Sequence, residues 1–335
     1  MMVLLTLGPF TLSATAASSE PEPTIVSFTF DDTLATQKLA LDVLKNYDMT
    51  GTVYVNSPRI SKDVDYLTRA QLKKYQAAGF EIGGHTLDHP DLTTLSPSKM
   101  RHEICDDRAT LLSMGFRVSD FAYPLGSTNS EVKKVARDCG YNSARALPGL
   151  RSSSYGCDLD CPTAETIPAK DQWAIRTPTT ARPSTTLADL RKYVTQAEDD
   201  HGGWVPLVFH RICDTNCSKV DTPSDNSISL DTFIAFVDWL SKRPTSTTVA
   251  TVANVVGGKL LPSDGNVQHY GSAATAGDTS VKTPDSAQSA VTIGAIRVNQ
   301  TLIMLLGITI ALTFVFTYRI ATRGDRYVQR RQHRA

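Results

Sequence analysis

Apolar and polar positions alternate in two rhythms through the middle of the chain. Thr24 to Phe30 (TIVSFTF) is a short apolar run rich in β-branched and aromatic residues, which predicts a buried strand. Leu39, Val43, Leu44 and Tyr47 then fall on one helical stripe. The two patterns keep alternating. Gly51–Val55, Phe80–Ile82, Asp120–Ala122, Asn142–Ala146, Trp173–Arg176 and Val205–Phe209 read as strands, with a last one near Thr247–Ala250. Thr68 caps a helix that Gly79 ends, and Ser96-Pro97 opens another that closes at Gly115. Helices are also expected near Ser130–Cys139, Thr186–Asp199 and Leu230–Leu240. Strand and helix in turn imply parallel β-structure and an α/β class. Seven or eight such units favour a distorted (β/α) barrel over an open sheet. No G-x-G-x-x-G follows the first strand, which removes the dinucleotide argument.

The two ends follow neither rhythm. Val3–Leu12 is an apolar run followed by Ala14-Thr15-Ala16-Ala17, the pattern of a secretory signal peptide over residues 1–16, although no Lys or Arg precedes it. Val298–Tyr318 is an uncharged stretch of 21 residues, long enough at ~1.5 Å per residue to cross a bilayer core. Six Arg and one Asp follow between Arg319 and Ala335, which places the tail (319–335) on the cytoplasmic side. Pro262 to Thr292 holds mostly Ser, Thr, Ala, Gly and Asp and reads as a flexible stalk over 262–297. The pattern therefore describes a folded body at 23–261, outside the cell membrane and anchored to it by one helix.

Composition sharpens this picture. Lys+Arg and Asp+Glu both number 34 among 335 residues, so a chain-wide basic surface is excluded and nucleic acid is not an expected partner. The six cysteines (105, 139, 157, 161, 213, 217) all lie in the exported part. That context favours disulfides over a four-cysteine zinc site, and six cysteines allow fifteen pairings.

Chemistry-bearing residues gather at the predicted strand ends, where β/α barrels keep their active sites. Strand one ends in Phe30-Asp31-Asp32, strand three leads into Gly83-Gly84-His85-Thr86-Leu87-Asp88-His89, the fourth ends at Tyr123-Pro124-Leu125-Gly126, and a late strand ends in Phe209-His210. The glycines and Pro90 favour a loop around the histidine pair. Each piece also has a plain explanation: an aspartate pair can cap a helix, and a lone histidine is more often a satisfied core residue. Their joint placement is more specific. Two histidines and one carboxylate make a zinc-type site with an open fourth position, which leaves the second carboxylate as a general base and a third histidine as a general acid.

Thr29-Phe30-Asp31-Asp32, His85-Thr86-x-x-His89, Tyr123-Pro124-Leu125-Gly126 and Leu207-Val208-Phe209-His210 together resemble the motifs of the polysaccharide deacetylase family, also called NodB-homology or carbohydrate esterase family 4, over about Pro23 to Gly258. The resemblance implies a distorted (β/α) barrel and a metal-dependent hydrolase that removes acetyl groups from an acetylated polysaccharide, often one containing N-acetylglucosamine. It implies Asp31 as base, Asp32, His85 and His89 as ligands of a divalent metal such as Zn2+, His210 as general acid, and the Leu125 main-chain N–H as an oxyanion donor. One departure matters. Ala122 stands where many members carry the arginine that orients the base, and Arg145 or Arg176 is the candidate replacement. Two other functions stay open: a glycan-binding module that has lost catalysis, and a metal-dependent amidase acting on peptidoglycan or a small amide.

Overall fold

A computed structural model of the chain describes residues 22–152, 157, 159–214 and 226–269. All of them lie in one compact unit, residues 1–275. The expected signal peptide and membrane span fall outside the described residues. Among those described, no helix is long and apolar enough to cross a membrane.

The first half of the chain winds as strand, helix, strand: β1 (Thr24–Phe30), α1 (Gln37–Asn46), β2 (Thr52–Val55), α2 (Arg69–Ala77) and β3 (Glu81–Gly84). A long broken helix follows as α3 (Pro97–Arg101), a π-helical turn (His102–Asp106) and α4 (Asp107–Ser113). It is the helix expected between Ser96 and Gly115, with a wider turn in its middle. Then come β4 (Asp120–Ala122), α5 (Ser130–Asp138), β5 (Ser143–Arg145), α6 (Leu187–Asp199) and β6 (Gly203–Phe209). The chain ends its described course with β7 (Arg211–Cys213), β8 (Ser227–Ser229), α7 (Leu230–Leu240), β9 (Thr247–Val249) and α8 (Val252–Val256).

The main sheet is parallel throughout, in the order β5-β4-β3-β2-β1-β6. β9 pairs with the first residues of β1 while β2 pairs with its last two. The edge strands β5 and β6 do not pair with each other. The segment between them bridges both edges, Ile175 to Arg145 and Glu165 to Trp204. The result is a curled half-barrel with an irregular closing segment. Trp173–Arg176, expected as a strand, supplies only the single Ile175 bridge. Its neighbours form a turn that Asp171 ties by accepting the Trp173 N–H.

β1 is buried along almost its whole length because helices cover one face and barrel interior the other, so it reads as a continuous apolar run rather than an alternating one. Phe28, Phe30 and Phe209 meet Phe233 and Phe236 of α7 at ring-centroid distances of 5.3–6.1 Å, edge-on or tilted as aromatic quadrupoles prefer. Thr68 and Gln71 form a reciprocal capping box that starts α2, and Thr186 and Asp189 do the same for α6.

Gly83 and Gly84, read as part of a loop, are the last two residues of β3. A Cβ on Gly83 would run into the Tyr54 ring, and one on Gly84 into the Tyr141 hydroxyl. Glycine is required there because two tyrosines pack against the strand.

Among the described residues, Cys105–Cys139 and Cys157–Cys161 pair as disulfides, and Cys213 is disulfide-bonded as well. Residues 262–269, placed by composition in the stalk, lie along the broken helix instead. Arg108 donates to the Leu261 and Pro262 carbonyls, Arg101 pairs with Asp264, and Asp106 accepts the Asn266 N–H.

Candidate active site

The C-terminal ends of β1, β3, β4 and β6 open on one hollow. It is lined by Asp31, Asp32, His85, His89, Leu125 and His210, together with Leu147, Pro148, Thr179, Thr180, Arg182 and Asn226. The topology explains the gathering. In a parallel sheet every strand delivers its C-terminal residue to the same rim, so residues 31, 85, 125 and 210 meet despite their separation in sequence.

The histidine pair is held by its backbone. Asn56, at the end of β2, donates to the carbonyls of His85 and Thr86 at 2.6 and 3.0 Å. The Glu103 carboxylate accepts the N–H groups of Leu87 and Asp88, and the Thr86 hydroxyl accepts that of His89. Asp107 accepts from the N–H groups of Ser57 and His85. Burial pushes the Asp107 carboxyl up to about 8. Asp32, Thr86, His89 and Leu125 all adopt positive φ, between 59° and 78°. Such conformations cost about 1–3 kcal/mol each and persist where surrounding contacts impose them.

Asp32, His85 and His89 form a candidate metal site. Asp32 Oδ1 lies 3.9 Å from His85 Nε2 and 3.5 Å from His89 Nε2. The donor chemistry fits a cation. His85 Nδ1 contacts the Ala122 carbonyl at 2.7 Å, which requires the proton on Nδ1 and leaves Nε2 as a lone pair. That Nε2 is buried without a hydrogen-bond partner. Burial also holds the His85 pKa down to about 4, so the imidazole is neutral and ready to ligate. Burial opposes ionisation of Asp32, but His85, His210, His89 and Arg59 outweigh it and the carboxyl shifts down. Arg59 is the neighbour that sequence reasoning missed. Its NH1 donates to Asp32 Oδ1 at 2.9 Å.

Asp31 is 2% exposed and sits apart from this trio. Arg145, fully buried in β5, ion-pairs with its Oδ2, while Oδ1 has no hydrogen-bond partner. Burial pushes the Asp31 pKa up, Arg145, His85 and His210 pull it down, and the downward pull wins. Gln37 fixes the strand end by donating to the Asp31 and His210 carbonyls. Arg176, the other candidate for orienting the base, forms a bidentate pair with Glu165 on the closing segment and takes no part here. The choice between the two arginines depends on which backbone lies beside β1 across the barrel, and neither sequence position carries that information.

His210 Nε2 lies 3.8 Å from Asp31 Oδ2 and 3.9 Å from Asp32 Oδ2, and its Nδ1 is 3.1 Å from the Thr180 hydroxyl. Burial lowers its pKa. Leu125 stands on a 3₁₀ turn after β4 with its side chain 63% exposed, forming an apolar lip with Leu147 and Pro148. The hollow thus offers a three-ligand cation cradle, an unoccupied carboxylate oxygen, an imidazole beside both, and a mixed apolar and polar rim.

A family model described as polysaccharide deacetylase matches residues 18–144. These residues belong to the polysaccharide deacetylase family. The match takes in Asp31, Asp32, His85, His89 and Leu125 and stops short of Arg145 and His210. Among curated relatives, the Bacillus subtilis protein YxkH is 31% identical over 140 residues, covering 41% of this chain and 50% of that protein. A peptidoglycan-N-acetylglucosamine deacetylase of Bacillus cereus is 27% identical, covering 50% of this chain and 82% of the relative. A chitin deacetylase of Colletotrichum lindemuthianum is 35% identical over 88 residues, covering 24% of this chain and 35% of the relative. The chain spans half the length of the first of these relatives and about a third of the last. Among solved structures, peptidoglycan deacetylase PdaC from Bacillus subtilis aligns over 70% of this chain and 91% of its own at 18% identity, with a TM-score of 0.43.

Proposed function

We propose that this protein is a metal-dependent polysaccharide deacetylase that releases acetate from N-acetylated sugars of a cell-wall or surface glycan. The observation that carries the reading is the division of labour between the two adjacent aspartates. Asp32 faces the histidine pair, whereas Asp31 faces Arg145 and keeps a free oxygen.

A divalent cation such as Zn2+ on Asp32, His85 and His89 would polarise the acetyl carbonyl and acidify a water. Asp31, kept ionised by Arg145, takes the proton of the attacking water through Oδ1. The Leu125 N–H stabilises the oxyanion that develops at the acetyl carbonyl. His210 Nε2, 3.8 Å from the Asp31 carboxylate and so not in direct hydrogen-bond contact with it, takes up a proton from solvent and delivers it to the departing sugar nitrogen, while Asp31 returns the proton of the attacking water to solvent. The Thr180 hydroxyl at Nδ1 holds the ring in place.

A purely glycan-binding role would follow if Ala122 left Asp31 without a cation. The Arg145 pair supports the catalytic reading over that one. The body is read as working outside the cell membrane, tethered by Val298–Tyr318. That uncharged run and the disulfides Cys105–Cys139 and Cys157–Cys161 both support an oxidising exterior.

The test is acetate release from a panel of acetylated oligosaccharides, with and without chelator. Asp31→Asn should retain the metal and lose turnover by about 10²–10⁴-fold. Wild-type acetate release by Asp31→Asn, or release indifferent to exhaustive chelation, sinks the assignment.

A further inference from the structure

Arg145 reaches Asp31 through the inside of the barrel with few hydrogen bonds of its own. It ion-pairs with Asp31 Oδ2, while its Nε and Nη1 have no hydrogen-bond partner among the described residues. A fully buried cation held at one point needs a second support to stay level with the carboxylate. Tyr54 supplies it. The Arg145 Cζ lies over the Tyr54 ring, 5.4 Å from the centroid, and that side chain is fully buried too.

The sequence makes room for this contact. Tyr54 sits on β2 and Arg145 on β5, with β3 and β4 between them. β3 pairs Gly83 with Tyr54, and β4 pairs Ala122 with Arg145. The first has no side chain and the second only a methyl group, so ring and guanidinium can meet across them. A Cβ on Gly83 would already displace the ring. Tyr54 and Ala122 share one small buried cluster with Ile175 and Trp204.

The ring face, rather than the hydroxyl, is what Arg145 meets. Burial pushes the Tyr54 phenol well above its ordinary range, and Glu81 and Asp120 add to the push, so the ring is neutral. Its hydroxyl is buried without a hydrogen-bond partner among the described residues. A neutral aromatic face attracts a cation through its quadrupole, and more strongly where water is excluded.

We propose that Tyr54 is a positioning residue for the base: its ring face carries the Arg145 guanidinium at the level where it meets Asp31. The inference rests on the deacetylase reading and adds to it a residue outside every motif. Tyr54 does not line the catalytic hollow, so its effect on turnover passes through Arg145.

The test varies the ring's charge distribution at nearly constant shape. Tyr54→Phe should keep kcat close to that of the wild type. Phenylalanines carrying one, two and three ring fluorines at position 54 should then lower kcat step by step, about tenfold in total, within the range of a buried cation–π contact. KM should stay nearly constant. A side chain that only fills space would leave kcat level along this series, and that result overturns the proposal. Urea midpoints supply a readout that needs no acetate. They should fall along the same series in the otherwise wild-type chain and stay level when Arg145→Gln is also present, because the cation is then gone. If the wild type releases no acetate from any acetylated oligosaccharide, the deacetylase reading falls, and midpoints that drop only with Arg145 present still keep Tyr54 as its support. Equal slopes in the two backgrounds remove that support whether or not acetate appears.

Discussion

Replacing Arg145 tests how this site keeps its base ionised. Arg145 is fully buried and Asp31 is 2% exposed, so neither charge has water to fall back on. Removing one member of such a pair typically costs about 3–5 kcal/mol, because the survivor is left buried and uncompensated. A carboxylate can escape that cost by taking a proton. If about 3 kcal/mol is expressed in the ionisation of Asp31, its pKa rises by about 2 units. In the wild type the net shift is below the ordinary 3.8, so Asp31 stays a base to the acid end of the usable range. In Arg145→Gln the acid limb of kcat/KM should move to higher pH than in the wild type by about two pH units, with Arg145→Lys in between. The assay is acetate release across pH, paired with urea unfolding at neutral pH. An arginine that only props the fold would lower the urea midpoint and leave the acid limb where it was. Superimposable pH profiles for wild type and Arg145→Gln would therefore refute the reasoning.

Three further outcomes follow from the geometry. In metal-free protein, His85 titrates near 4 when folded and near 6.5 when unfolded. The unfolded chain thus binds the extra proton first, and stability should fall by about 3 kcal/mol as pH drops from 6.5 to 4. Urea midpoints of wild type and His85→Gln over that window check it, since the variant should lack this slope. The Cys105–Cys139 disulfide spans 34 residues, so its removal in Cys105→Ala/Cys139→Ala should cost about 4 kcal/mol in the same assay. A chain ending after Leu261 loses the Arg108, Arg101 and Asp106 contacts to residues 262–269. It should unfold more easily than one ending after His269, by roughly 2 kcal/mol, and equal midpoints would show the segment to be passive.

The sequence alone determined the α/β class, most strand positions and which motif residues would share one rim of the sheet. These depend on local periodicity and on the rule that parallel strands carry chemistry at their C-terminal ends. Phe30-Asp31-Asp32 and His85-x-x-x-His89 could be read because each lies in one stretch of chain directly after a recognisable strand. Whatever depends on packing between distant segments had to come from the tertiary structure. Arg145 and Arg176 look alike in sequence, and only the fold shows that β5 aims one at Asp31 while the closing segment gives the other to Glu165. Arg59, Asn56, Glu103 and Asp107 carry no motif, yet they hold Asp32 and the histidine turn from neighbouring elements. Gly83 and Gly84 seemed loop residues until Tyr54 and Tyr141 were seen against them. Residues 262–269 had the composition of a free linker, but hydrogen bonds from Arg108 and Asp106 fix them to the body. Composition sets what a segment can bury by itself, and the partners that offset its ordering entropy are set by the fold.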